Sequence, residues 1–368
     1  MKSMGLTRLI IIAFLFSVMF ILLHSPGFSH LIESIYSSRL YIWTIRPYSM
    51  LTGLFWFSLA ELFVVSALLM ILYKTGRIAL ELFSNTKGFI KQIPQSVFKL
   101  PFILAVIYLV FNLMWGFNYS RATFAEISGL PVEPASVEEL AELAAHLTHR
   151  ANELREWTAE DERGVMLLSN GVQDVFNRAH LGYLEAAKIY PELGGQYGPP
   201  KGVMLSRYLS HAGIAGLYFP FTAEANVNTK IPHFKLPSTT AHEMAHQRGF
   251  AREDEANYIA YLTCTLHPDL AFQYSGVMMA LMHTMNTLYS YNMEAWAEIR
   301  SEYSDGMNRD LQDYREYLAR YQGPAKETFT RINDTYLIAN RQEEGVQGYS
   351  GMVDLLLAEF RTNCCIQQ

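Results

Sequence analysis

The chain has 368 residues, half of them hydrophobic, with 22 Phe and 22 Tyr and a formal charge of −6. That length accommodates two ordinary domains, and the mildly acidic balance without a basic stripe excludes nucleic acid as a partner. Three cysteines, Cys264, Cys364 and Cys365, make neither a disulfide framework nor a CxxC metal site.

The apolar residues concentrate in the first 118 positions. Three stretches there meet or nearly meet the length needed to cross a bilayer, about 9–23, 51–73 and 100–117. Lys2 and Arg8 precede the first; no small-x-small cleavage site follows it, so it reads as an uncleaved span rather than a signal peptide. Lys74, Arg77, Lys87, Lys91 and Lys99 follow the second, whereas only Arg39 and Arg46 separate the first from the second. By the positive-inside rule the N-terminus is cytoplasmic, and everything after Phe117 lies outside the cytoplasm. Glu61, in FSLAELFVV near the middle of the second stretch, needs a partner or a cavity at that depth. It is expected either as a proton or ligand site, or as a hydrogen-bonded carboxyl facing Asn112 of the third stretch.

From residue 119 onward the periodicity is mostly helical. Ser136 and Glu139 form a capping box for a helix through about Glu156, with Leu140, Leu143, Ala144 and Leu147 on one face. A second helical stretch covers about 161–189 and ends at PELGGQYGPPKG. Gly216 to Asn228 (GLYFPFTAEANVN) carries the strand signal, with Pro220 marking an edge or bulged strand. Pro237 and Ser238 then open a further helix. The expected fold is mainly α: three transmembrane helices in 1–118, then one helix-dominated α+β domain in 119–368 with a small sheet.

The chemistry concentrates in TTAHEMAHQRGFAREDEAN. His242 and His246, four apart on a helix, project from one face and can share a metal; Glu243 lies on the adjacent flank. Two imidazoles and one carboxylate suit zinc, leaving one position open for water. Glu243 would serve as general base, activating that water against a peptide carbonyl and passing the proton to the leaving amine. The ligand types also admit manganese, cobalt or iron, with zinc the expected cofactor. For the third ligand, Glu253, Asp254 and Glu255 all follow the turn at Gly249. Glu253 is favoured because Asn257, one turn on, could hydrogen-bond a histidine ligand from outside. Glu255 shares its face with Ile259, Leu262 and Leu266, so its burial would need another reason. Tyr336, Tyr349 and His211 are candidates for stabilising an oxyanion. The strand at 216–228, with Asn226 and Asn228, is a candidate for binding substrate backbone.

The sequence resembles the gluzincin branch of zinc metallopeptidases, which pairs HExxH with a glutamate on a following helix. Glu253-Asp254-Glu255-Ala256-Asn257 matches its Glu-x-x-Ala-Asn pattern, and the resemblance carries the ligand role to Glu253. The fold it implies for 119–368 is zincin-like. HEMAHQRGFAR also parallels the metzincin HExxHxxGxxH, but Arg252 occupies the third histidine position and a guanidinium cannot ligate zinc. Over nearly its full length, including FSLAELF, WGFNYSR and NDTYLIANRQEEGVQGYSGMVDLL, the chain also resembles a bacterial family with three N-terminal membrane helices and an HExxH domain. These resemblances imply a membrane-anchored peptidase acting outside the cytoplasm on a peptide or protein, including those of the cell envelope, with the lipid bilayer as its other partner. The alternative is a membrane-anchored, metal-binding sensor or scaffold without catalytic activity.

Overall fold

A computed structural model describes residues 28–84, 103–339 and 351–366. The predicted first span and Tyr349 lie outside the described residues.

The described residues open with an unbroken helical run made of Ser29–Leu31, Ile32–Tyr41 and Ile42–Thr52, called here the arm helix. One face of the arm helix is packed: Ile32, Tyr36, Tyr41 and Ile45 join Trp115, Tyr119, Tyr218 and Ala251 in a second, smaller core. The chain then turns through 53–58, and α1 (Leu59–Ser84) follows. Its Leu59–Leu80 portion is long and apolar enough to cross a membrane, and almost none of it is covered by protein.

The expected span at 51–73 is therefore displaced. Gly53 touches Gly198 and Pro199 so closely that a Cβ there would come within 2.9 Å of both, and this contact ends the arm helix. The carboxylate of Glu224 accepts the amides of Leu59 (3.2 Å) and Ala60 (2.7 Å), and Ser58 Oγ accepts the Glu61 amide (2.9 Å). These acceptors satisfy orphan N–H groups and start a new helix. Glu61 consequently lies in the first turn of α1, not at mid-span, and accepts the backbone amides of Met204 (2.9 Å) and Leu205 (2.7 Å). Asn112 is not its partner; it donates to the Tyr108 carbonyl at 2.8 Å. The third expected span appears as a shorter apolar helix, α2 (Ile103–Met114), so among the described residues one helix, not three, has the length to cross.

The remaining body is mainly helical with one small sheet. The Ser136–Glu139 capping box is present and starts α3 (Val137–Arg155), which buries Leu140, Leu143, Ala144 and Leu147. The stretch 161–189 is less regular than its periodicity predicts: a bridge pairs Glu160 with Met166, and two short helices follow, Gly171–Arg178 and His180–Ala186. The strand region 216–228 is a hairpin. After β1 (Lys201–Gly202), β2 (Gly216–Phe219) and β3 (Glu224–Val227) pair antiparallel, and Ala223 takes the left-handed conformation (φ 53°) in the turn. Pro220 lies in the hairpin turn rather than within a strand, and the order β1-β3-β2 puts β2 on the edge but β3, the second half of the expected edge strand, in the centre. Next come α4 (Leu236–Gln247), α5 (Glu253–Thr265), α6 (Leu270–Tyr291), α7 (Asp305–Arg320), α8 (Pro324–Ala339) and α9 (Gly351–Ile366). The main core joins α3, α4, α5, α6 and α9 through Leu143, Leu147, Met244, Ile259, Met278, Leu281 and Leu356.

Candidate metal centre

The motif helix α4 starts at Leu236 with Pro237 in its first turn, where a missing N–H costs nothing. It ends because Gly249 takes φ 87°, a conformation that glycine adopts without strain. Three contacts hold the turn that follows. Arg121 donates to the Gly249 carbonyl (3.0 Å), grips Glu33 of the arm helix in a fork (2.7 Å to each oxygen), and lies 4.2 Å over the Phe250 ring. The turn returns the chain so that Glu253, the first residue of α5, faces the two histidines.

His242 and His246 stand 4.6 Å apart, centroid to centroid, with nearly perpendicular rings. His246 Nδ1 lies 2.7 Å from the Phe250 carbonyl, which fixes its proton there and turns Nε2 toward the centre. Glu253 Oε2 is 3.2 Å from His242 Nε2, and Oε1 is 3.6 Å from His246 Nε2. One ligand atom from each residue falls within 4.8 Å of the others. Tetrahedral N and O ligands about 2 Å from zinc would stand about 3.3 Å apart, so the donor set and spacing fit a zinc ion. Trp115 closes one side, edge-on to His246 at 5.9 Å.

The charges reflect this clustering. Burial alone would lower the His246 imidazole, but Glu253 reverses the effect and holds it up, to about 9. Burial alone would raise Glu253, yet the two histidines pull it well below the usual carboxylate range.

Glu243 is buried beside this cluster, and burial raises its pKa against the opposing pull of His242 and His246. It rests against the edge strand: a Cβ on Gly216 would lie 2.4 Å from Glu243 Oε1. Its other oxygen, Oε2, is buried without a hydrogen-bond partner among the described residues.

The alternatives for the third ligand point elsewhere. Glu255 Oε1 accepts the Phe124 amide (2.9 Å) and Arg252 Nη1 (2.7 Å), which supplies the reason for its burial. Arg252, at the metzincin-histidine position, thus braces α5 instead of facing the centre. Asp254 accepts the Glu255 amide at 2.9 Å and crowds Gly351 at the start of α9. Asn257 is buried one turn beyond Glu253, but among the described residues it hydrogen-bonds neither histidine; the outer partner found is the Phe250 carbonyl.

Of the remaining expectations, Asn226 and Asn228 are internal. Asn226 accepts from Ser58 Oγ (2.6 Å), and Asn228 donates to Ser210 Oγ (3.0 Å) and the Ile214 carbonyl (2.9 Å). His211 is exposed, edge-on to Tyr321, with no contact to the centre among the described residues. Tyr336 does approach: its hydroxyl is 2.8 Å from that of Tyr119, and both phenols are raised, by burial first and in part by the Glu253 charge. Trp115, Tyr119 and Gly216 carry no catalytic signature of their own, and only proximity in the fold brings them to the site.

A helix-borne HExxH whose following helix opens with a glutamate, beside an edge strand, defines a candidate metal centre on a mainly helical protein with a membrane-length helix. Residues 36–357 match the family described as a protein of unknown function (DUF3810), and the chain belongs to that family. No curated protein and no solved structure matches the chain.

Proposed function

We propose that the protein is a membrane-anchored zinc peptidase of the gluzincin type, with His242, His246 and Glu253 as ligands and Glu243 as general base. The observation that carries this reading is the Glu243 carboxylate. It is buried beside the three-residue cluster, and one oxygen lacks a partner. An orphaned buried carboxylate oxygen is costly, and a purely structural metal site has no use for it.

A zinc ion held by the three ligands would supply a Lewis acid that polarises a peptide carbonyl and acidifies water. Glu243, whose pKa burial raises, is suited to accept a proton from the attacking water and return it to the leaving amine. The edge strand β2 runs past Glu243 from Gly216, and an extended peptide can add to it by main-chain pairing. Tyr336 and Tyr119 are phenol donors near Glu253 for the developing negative charge.

The body is proposed to lie outside the cytoplasm. The arm helix packs on it through Tyr41, whose hydroxyl reaches the Gln247 carbonyl at 3.3 Å, so the arm helix and the body share one side. Lys74 and Arg77 sit in the last turns of the apolar part of α1 and Lys87, Lys91 and Lys99 follow it, as a cytoplasmic flank would.

The test is zinc content and hydrolysis of a mixed peptide library by the purified protein and its Glu243→Gln variant. The expected result is about one zinc per chain in both, with cleavage in the parent alone. Zinc in both with no cleavage by the parent would favour a sensor or scaffold. Absence of zinc from the folded, chelator-free parent would overturn the reading.

A further inference from the structure

The surface of α4 that solvent reaches is one narrow stripe. From Lys235, its N-cap, to Gln247, only Lys235, Thr239 and His242 keep partial exposure. Offsets of four and seven place all three on one face, with Lys235 about 10 Å along the axis from His242.

The neighbouring helix α6 is joined to α4 by Ser275, whose hydroxyl accepts the Ser238 amide at 2.9 Å. On α6, Met279, Met282 and His283 are half-buried and Asn286 is exposed, a stripe with the same periodicity. Burial first, and then the charges of Lys235 and His242, push His283 down to about 4, which places it near both ends of the α4 stripe.

Lys235 is the fixed cation of this groove. Its Nζ lies 4.7 Å from the Tyr314 ring centroid and 6.0 Å from that of Phe234, and no carboxylate among the described residues pairs with it. Burial pushes Lys235 down to about 8, which leaves it mainly protonated at neutral pH. A partly buried ammonium held by aromatic faces alone is poorly compensated, and an incoming carboxylate would correct that.

We propose that Lys235 forms the anion-binding end of the substrate groove, selecting peptides with a carboxylate about 10 Å from the cleaved bond. At about 3.3 Å per extended residue, that is about three residues away. The carboxylate is either the chain's C-terminus or an Asp or Glu side chain. Thr239 and the methionines of α6 form the groove between. The proposal rests on the peptidase reading, and its test separates the two.

The experiment uses the full chain in detergent, zinc-loaded and with native Glu243, since a hydroxamate would occupy the metal without being cut. Three hydroxamate-capped tripeptides are titrated by calorimetry. One ends in alanine with a free carboxylate, one in glutamate amide and one in alanine amide. At least one acidic probe is expected to bind tenfold or more tightly than the neutral one, about 1.4 kcal/mol. Which acid gains names the source of the carboxylate. Adding Lys235→Met should abolish the gain and leave the neutral probe unchanged, while Lys235→Arg should keep it. Equal affinity for all three probes, or a gain that survives Lys235→Met, overturns the subsite and leaves the peptidase reading standing. Failure of every hydroxamate to bind removes both. Should Lys235→Met not fold, the acid-against-amide comparison at native Lys235 decides alone.

Discussion

A Cβ on Gly216 would lie 2.4 Å from Oε1 of Glu243, and 2.7 and 2.8 Å from Cγ and Cδ. The first residue of the edge strand therefore shapes the pocket that holds the proposed base. Gly216→Ala should push either the strand or the carboxylate aside while leaving the three ligands in place. With a displacement near 1 Å, kcat is expected to fall about 100-fold with zinc content unchanged. Unaltered turnover would show that the position of Glu243 against β2 is irrelevant.

The two glutamates of α5 separate by consequence. Glu253→Ala should lose zinc, because its carboxylate supplies the third ligand atom beside His242 and His246. Glu255→Ala should keep zinc but lose stability, since it strips Arg252 and the Phe124 amide of their acceptor. Arg252 is a quarter exposed, so the loss belongs at the low end of the about 3–5 kcal/mol typical of a broken buried pair. Metal analysis and denaturant melts read both outcomes, and the reverse pattern would reassign the ligand.

On the zinc-peptidase reading, metal binding must displace a proton. In the metal-free state Glu253 holds His246 up to about 9, above its ordinary 6.5. That pairing stabilises the metal-free fold fully below about pH 6.5, and its contribution is lost as pH rises through about 9. Only the neutral imidazole binds metal, so apparent zinc affinity should climb about tenfold per pH unit over that window and level off above it. Calorimetry at pH 7 in buffers of different ionisation enthalpy should find about one proton released per zinc from this residue. A release of none contradicts the assignment.

Gly249→Ala should weaken the site from a distance. The left-handed φ costs a non-glycine residue about 1–2 kcal/mol, and the new methyl would meet Tyr41 Cε1 at 3.0 Å. Any shift of this turn moves the Phe250 carbonyl that orients His246. Zinc affinity is expected to fall about tenfold, measured by competition with a chromophoric chelator.

Lys201→Met tests how the membrane-length helix is fastened. Lys201 and Glu224 form a buried ion pair, and Glu224 also caps Leu59 and Ala60 at the start of α1. Leaving Glu224 uncompensated should destabilise the protein by about 3–5 kcal/mol. Replacing Glu224 by Gln in the same chain should restore part of that loss. An unchanged melting temperature in the single variant would mean the pair contributes nothing.

Much of the candidate site is legible in the sequence because it depends on short-range geometry. The spacing of His242 and His246 fixes a shared face on any helix, Gly249 marks where that helix ends, and Ser136 and Glu139 announce α3. Tertiary structure decided what depends on residues far apart in the chain. Whether Glu253 or Glu255 faces the histidines turns on Arg252 and the Phe124 amide occupying Glu255. Apolar composition locates a membrane-length helix, but the place where α1 begins depends on Gly53 meeting Gly198 and on Glu224 supplying a cap. Glu61 likewise changed from a mid-membrane acid to a first-turn acceptor for Met204 and Leu205. Periodicity encodes which face of an element is apolar; it carries no record of which distant backbone amide or guanidinium will satisfy a buried carboxylate.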